Sequence, residues 1–308
     1  MFSPDALDWK YWGSGTSRST IDERTDSLAA HACAWPATLL TSHGPLYAMH
    51  CIDWAADPAY PGAGIAVLES ASRTVDFQIG AGGSEITHKL RPALGFKERG
   101  RIGVYARVLH PLRHALTHPA RNWKTPARII RSLLQPAAGT SNWQAVAIDP
   151  AQPPADFLYP SPAGQLLPFA RTPEGLAFWG RCPIARFLAF HVQRNQRPSG
   201  YFCLTLTPGQ ARLADAWTPS EEPADWANLY RLAVDAAARE NGINEIRADA
   251  VPACCREGLE MAGFTLRQEE PLMVRDRRKR LPDDFTLHYQ PVDGDGAFWH
   301  AGVPDYRL

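Results

Sequence analysis

An α+β (α/β) fold of two tandem units is what the sequence predicts, and three observations carry it. Residues 53–96 and 215–264 each run through a strand, a helix, a strand, a helix and a closing Gly-Phe corner, Gly95-Phe96 in one and Gly263-Phe264 in the other. Ahead of the second unit, 185–192, 200–207 and 210–217 read as three strands joined by hairpin-length connections. The chain has 308 residues and 45% hydrophobic content, enough for two cores.

The elements follow in order. Residues 28–35 are strand-like, whereas 9–19 are too polar and Gly-rich to place. A strand at 46–54 leads to a helix from about Gly62, a strand at 75–79 and a helix from about Ser84, with Ser84 as its N-cap. Residues 150–168 hold six prolines and read as extended linker. In the second unit the helix at 224–240 places Trp226, Leu229, Leu232, Ala233 and Ala236 at helical spacing, and a strand at 243–248 and a helix at 252–262 complete it. The expected organisation is therefore an N-terminal domain over 1–110, a basic, Pro-rich connection over 111–168 and a C-terminal domain over 169–308.

Charge excludes some functions. Lys plus Arg and Asp plus Glu number 32 each, so no global field steers nucleic acid and none is expected as a partner. Residues 107–135 carry six cations and no acidic residue, but Pro111, Pro119 and Pro126 interrupt them, which fits a basic interdomain helix better than a membrane or RNA face. No segment approaches eighteen uninterrupted apolar residues and the first residues lack a basic start, so a cytoplasmic protein without a membrane span is expected. The six cysteines lie in apolar stretches and read as reduced, buried thiols. His110, His114 and His118 are spaced by four, yet prolines shorten any helix there and no carboxylate is near; no metal is expected. Asp293-Gly294-Asp295-Gly296 lacks the other ligands of a calcium loop and reads as a turn.

The stretch richest in chemistry is Ile52-Asp53-Trp54-Ala55-Ala56-Asp57-Pro58-Ala59-Tyr60-Pro61-Gly62-Ala63-Gly64-Ile65-Ala66, with Leu94-Gly95-Phe96 thirty residues on. A strand, a Pro-x-Tyr turn, a Gly-x-Gly corner and an apolar helix start present free backbone N–H groups suited to a pyrophosphate. The pattern resembles the coenzyme A loop of the GNAT (GCN5-related) N-acetyltransferases. That resemblance implies domains that each hold a mixed, mostly antiparallel sheet flanked by helices, with acetyl-CoA or another acyl-CoA as co-substrate. It implies that backbone groups of Trp54, Ala55 and Ala56 pair with the pantetheine arm, and that the N–H groups of Gly62, Ala63, Gly64, Ile65 and Ala66 face the pyrophosphate.

Two positions depart from the pattern. Pro61 stands where the family has Arg or Gln, and Arg91 stands where its thiolate-protonating tyrosine is often found. The second unit departs further, because 218–225 has no glycine and places Glu221 and Glu222 where anion-binding amides belong. One coenzyme A site, in the first half, is expected. For a general base Asp53 is the first candidate and His50 the second, with strand alternation placing His50 and Ile52 on one face and Cys51 and Asp53 on the other.

The pairing of two such units looks like that of exopolysaccharide-associated GNAT acetyltransferases and, more distantly, FemAB-like transferases. It implies an acyltransferase acting on an amine of a small molecule, amino sugar or peptide precursor, with a homodimer left open. The alternative is a catalytically inactive member that binds a small ligand or a protein partner, favoured by Pro61, by Arg91 and by the eroded second loop.

Overall fold

The computed structural model describes residues 3–13, 18–24, 27–111, 113 and 142–298. The first half contains α1 (Pro4–Tyr11), β1 (Ser19–Arg24), β2 (Ser27–Thr41), β3 (Gly44–Ala56), α2 (Ala63–Ser72), β4 (Phe77–Gly80), α3 (Glu85–Ala93) and β5 (Lys97–Val108). The second contains β6 (Trp143–Ile148), β7 (Leu166–Pro168), α4 (Pro173–Gly180), β8 (Arg186–Arg194), β9 (Arg197–Thr207), β10 (Gly209–Trp217), α5 (Pro223–Ala238), β11 (Ile243–Ala250), α6 (Ala253–Met261), β12 (Thr265–Arg275) and β13 (Thr286–His288). The repeated strand-helix-strand-helix order is present in both halves.

One mixed, mostly antiparallel sheet runs through the molecule in the order β1-β2-β3-β4-β12-β5-β11-β10-β9-β8-β6. Its parallel pairs are β3 with β4 and β10 with β11. The strands that follow the two Gly-Phe corners cross over. β5 pairs with β11 of the second half, β12 pairs with β4 of the first, and β5 and β12 pair with each other at the centre. The halves are thus stitched by backbone hydrogen bonds, and the strand order is nearly the same read outward in either direction from β5/β12.

Local chemistry explains the elements. The β8–β9 hairpin turns through Asn195 and Gln196, both at positive φ (51° and 62°), with Arg194 opposite Arg197; this is the two-residue turn whose twist matches its strands. On α5, Trp226, Leu229, Tyr230, Ala233 and Ala237 are buried. The helix α6 approaches it so closely that a Cβ on Gly258 would lie 2.6 Å from the Trp226 Cβ, so only glycine fits there.

The unplaced stretch 9–19 begins inside α1, which is capped by the Ser3 hydroxyl accepting from the Ala6 N–H. What holds this short helix is Trp9, stacked on Phe178 at 4.8 Å and donating its indole N–H to the Phe178 carbonyl at 3.1 Å. Trp35 of β2 donates likewise to the Val292 carbonyl at 3.0 Å, binding the C-terminal segment to the first half. Most of the basic stretch 107–135, with His114 and His118, lies outside the described residues. Among the described residues no helix is long and apolar enough to cross a membrane.

Candidate functional site

β3 and β4 lie parallel only from Ala48 opposite Phe77 to His50 opposite Ile79. β4 then ends at Gly80, while β3 continues to Ala56. Past His50, alternate backbone groups of β3 therefore face a wedge instead of a neighbouring strand. The wedge is a cleft of about 310 Å³ walled by β3 from His50 to Trp54, by the end of β4, by Thr87 and Arg91 of α3 and by Asp295.

Midway along this wall the β2–β3 register slips, with Cys33 opposite Ile52 but His31 opposite Ala55. Two residues of β3, Asp53 and Trp54, thus oppose one of β2, and Asp53 takes the left-handed conformation at φ 48°. Such a bulge re-aims side chains. It corrects the alternation expected from sequence. Asp53 turns away from Cys51 and toward α1, whereas Trp54 joins Cys51 against α2.

Asp53 is held by two donors on one oxygen: Lys10 Nζ at 2.5 Å and the Tyr11 hydroxyl at 2.9 Å, both to Oδ2. Its Oδ1 has no hydrogen-bond partner among the described residues, and Asp53 is one of the residues that line the cleft. Lys10 also reaches Asp295 Oδ2 at 2.7 Å. Burial works against its charge, but Asp295 and Asp53 more than offset this and hold its pKa above the ordinary value. Burial, then the Asp53 charge, push the Tyr11 phenol up, so it stays protonated and donates.

His50 is buried; its Nε2 accepts from the Ala81 N–H at 3.2 Å and its Nδ1 pairs with the Tyr289 hydroxyl at 3.3 Å. Burial, and then the Arg91 charge, hold its pKa down to about 4. It forms a neutral wall of the cleft, and the one lone pair of its neutral ring is already taken by the Ala81 N–H, so it has no free site for a substrate proton.

At the far end, Gly62 opens α2 from the left-handed region at φ 87°. Two of the five amides expected to face an anion are used internally, Ala63 N–H to the Tyr60 carbonyl at 3.2 Å and Ala66 N–H to the Gly62 carbonyl at 3.0 Å. The N–H groups of Gly62, Gly64 and Ile65 have no acceptor among the described residues. Gly64 is needed for close approach: a Cβ there would lie 3.0 Å from the Ala56 Cβ and 3.3 Å from Trp54 Nε1, which donates to the Gly64 carbonyl at 2.7 Å. The Trp54 side chain therefore locks the start of α2 onto β3, and Ala55 and Ala56 continue β3 beyond the bulge, paired with His31 and Ala30.

The second half repeats this layout. β10 and β11 pair only as far as Arg212 and Arg247, and β10 is bulged between Leu213 and Asp215. Asp215 accepts from Arg171 Nε at 2.7 Å and Nη2 at 3.0 Å and from the Tyr201 hydroxyl at 2.7 Å. Arg171 Nη1 also pairs with Asp293 at 2.7 Å. His288 lies along this strand, with its Nε2 donating to the Ala216 carbonyl at 2.9 Å and its ring 5.1 Å from Trp217 and 5.4 Å from Trp226. Burial holds its pKa down to about 4. In the loop ahead of α5 the Glu222 N–H is taken by the Ser220 hydroxyl and the Trp226 indole by the Ser220 carbonyl.

Sequence reasoning missed Lys10, Tyr11 and Asp295. The turn at 293–296 links both clusters, giving Asp293 to Arg171 and Asp295 to Lys10. No local spacing marks these partners, since Asp295 meets Lys10 across 285 positions.

One consequence is acid lability. His50 and His288 have folded pKa values lowered from 6.5 to about 4, so the unfolded chain binds more protons between those values. Their contribution is full above about pH 6.5 and is lost as pH falls through 4, on the order of 3 kcal/mol for each histidine. Asp293, raised to about 6 by burial, acts in the opposite sense over about pH 4 to 6, and so does Asp295, which burial also raises. The part of the acid loss that His288 supplies should disappear in His288→Gln, so that variant should lose less Tm between pH 6.5 and 4 than the parent protein; an unchanged slope would show that His288 is not held neutral by burial.

No family model and no curated protein matches the chain. Solved structures do. A GCN5-related N-acetyltransferase from Anabaena variabilis aligns with TM-score 0.56 and 12% identity over 90% of this chain and 66% of its own. A conserved protein of unknown function from Enterococcus faecalis, described as a probable N-acyltransferase, aligns with TM-score 0.55 and 9% identity over 90% and 66%. A GCN5-related N-acetyltransferase from Kribbella flavida gives 0.54 and 14% over 89% and 65%. The chain spans about two thirds of the length of each of these proteins. The splayed strand pair, the bulge and the glycine-opened helix thus lie in a chain with the fold of the GCN5-related N-acetyltransferases.

Proposed function

We propose that this chain is an acyltransferase built of two tandem GNAT units, an N-terminal one carrying the site and a C-terminal degenerate one. It takes an acetyl or other acyl group from coenzyme A in the first-half cleft and passes it to an amine. The observation that carries this reading is the coincidence, on one wall, of the β3/β4 splay, the Asp53 bulge and the unpaired N–H groups of Gly62, Gly64 and Ile65. Amides at a helix start suit the pyrophosphate, and the exposed backbone of β3 suits the amide-rich pantetheine arm. The resemblance to exopolysaccharide-associated acetyltransferases and, more distantly, FemAB-type transferases favours an amino sugar or peptide precursor as acceptor.

In this scheme Asp53 takes the proton of the attacking ammonium at Oδ1, directly or through a water. Lys10 and Tyr11 hold Oδ2 and fix the carboxylate's direction. The second half contributes scaffold: there Asp215 is tied to the buried Arg171 and Tyr201, and His288 donates to the Ala216 carbonyl.

Acetyl-CoA should raise Tm in proportion to the logarithm of its concentration over Kd once it is in excess. Ile65 is exposed in the first turn of α2, so Ile65→Glu should leave the apo Tm within about a degree, since an acidic residue suits a helix start, yet weaken coenzyme A roughly tenfold or more. An undiminished shift in that variant would move the pyrophosphate elsewhere; no shift in the parent protein at millimolar ligand would favour the non-catalytic alternative.

A further inference from the structure

The cleft contains a buried cation that no carboxylate among the described residues touches. Arg91 is 6% exposed, yet no carboxylate among the described residues lies within 4.0 Å of it. Its partners are two carbonyls, Gly82 at 2.7 Å from Nη1 and Ala81 at 3.3 Å from Nη2. The end of β4 is shaped around it: a Cβ on Gly80 would lie 2.8 Å from Arg91 Nε. The groups that face it are Cys51 and the neutral His50 on β3, Tyr289 after β13 and, beyond contact distance, Glu270 on β12, whose Oε2 would lie 3.7 Å from a Cβ on Gly82. A buried guanidinium does not shed its proton, and burying it unpaired is costly. Such a residue in a cleft is poised for an anion that arrives there.

The reaction proposed above makes one. The amine lone pair forms the new C–N bond, the thioester C–S bond breaks, and its electron pair leaves on sulfur as the coenzyme A thiolate. The ammonium gives one proton to Asp53 to become the nucleophilic amine, and the second proton that the nitrogen loses on becoming the amide passes to solvent, so neither transfer protonates the sulfur. We propose that Arg91 is a catalytic residue that holds the departing thiolate by charge, where a proton donor would otherwise be required; the thiolate is reprotonated by solvent on release. This rests on the acyltransferase reading. Electrostatic stabilisation of a developing anion in a water-poor cleft is often a large part of catalysis, and a neighbouring arginine lowers a thiol's pKa.

The test is a titration of bound coenzyme A, followed by thiolate ultraviolet absorbance as the difference between the coenzyme A and desulfo-coenzyme A complexes, which cancels the protein's own cysteines. In the parent protein the bound thiol should titrate at least about one unit below the free thiol, and Arg91→Gln should abolish that shift while coenzyme A affinity changes by only a few-fold. Arg91→Lys, which keeps the charge, should restore part of it, and it serves as the check that loss of fold is not the cause. Coenzyme A bound with an unshifted thiol, or a shift that survives Arg91→Gln, overturns the assignment of Arg91 and leaves the acyltransferase reading standing. Failure of coenzyme A to bind at all overturns both.

Discussion

Replacing Arg171 by Met should destabilise the fold by about 3–5 kcal/mol, the cost of removing one partner from a buried charge cluster. The side chains of Arg171, Asp215 and Asp293 are 3%, 1% and 2% exposed, and the arginine is the cation between the two carboxylates. Without it Asp215 keeps the Tyr201 hydroxyl and Asp293 keeps the Gln290 N–H, but neither negative charge is balanced. Asp293 is already raised to about 6 by burial with the arginine present, so the variant relieves itself by protonation. Its deficit, measured by chemical denaturation, should therefore shrink from pH 8 to pH 5. Arg186→Ala, which removes an exposed pair with Glu240, should cost no more than about 1 kcal/mol. A deficit for Arg171→Met below about 1 kcal/mol at pH 8 would mean that the cluster does not hold the C-terminal segment to the second half.

Asp53→Asn should lower the acyl-transfer rate roughly a hundred-fold or more while coenzyme A affinity stays within a few-fold. The amide preserves the shape and can still accept from Tyr11 and Lys10, but it cannot take a proton. Lys10 retains Asp295, so the local structure has a way to persist. If Asp53 only pins α1 to the bulge, the same change should cost about 1–3 kcal/mol and leave the rate per folded molecule nearly unchanged. Measuring rate and stability on one preparation separates the two, and a retained rate would remove Asp53 from the mechanism.

Much of the fold was legible because periodicity is a local signal. The helices α2, α3, α5 and α6 and the strands β3, β4, β10 and β11 lie where spacing and turn residues placed them, and Ser84 caps α3 as its type suggested. The strands after the Gly-Phe corners were not assigned. β5 opens as Lys-Glu-Arg-Gly-Arg and carries Gly100 and Gly103, and β12 contains Gln268, Glu269, Glu270 and Pro271. Neither shows the clean alternation of a one-sided strand. They form because each is sandwiched at the centre of the sheet between strands of the other half, a tertiary gain that no window of sequence displays.

The site divides in the same way. Gly62 and Gly64 could be read from the motif, since positive φ and close approach each demand glycine. The bulge could not, because nothing in Ile52-Asp53-Trp54 announces that Asp53 will adopt a left-handed conformation. That one conformational change sends Asp53 to Lys10 and Tyr11, and it reverses the face expected from alternation. In the sequence Arg91 is marked only by the tyrosine it replaces; its burial beside Gly80, with no carboxylate among the described residues in contact, comes from the packing of α3 on β4.

In the proposed scheme the first wedge takes the acyl donor and the second half serves as scaffold. Isothermal calorimetry of coenzyme A against the full chain tests it most directly. One molecule should bind per chain, with affinity reduced by Ile65→Glu at the start of α2. A stoichiometry near two, or a single site indifferent to Ile65→Glu, would contradict it.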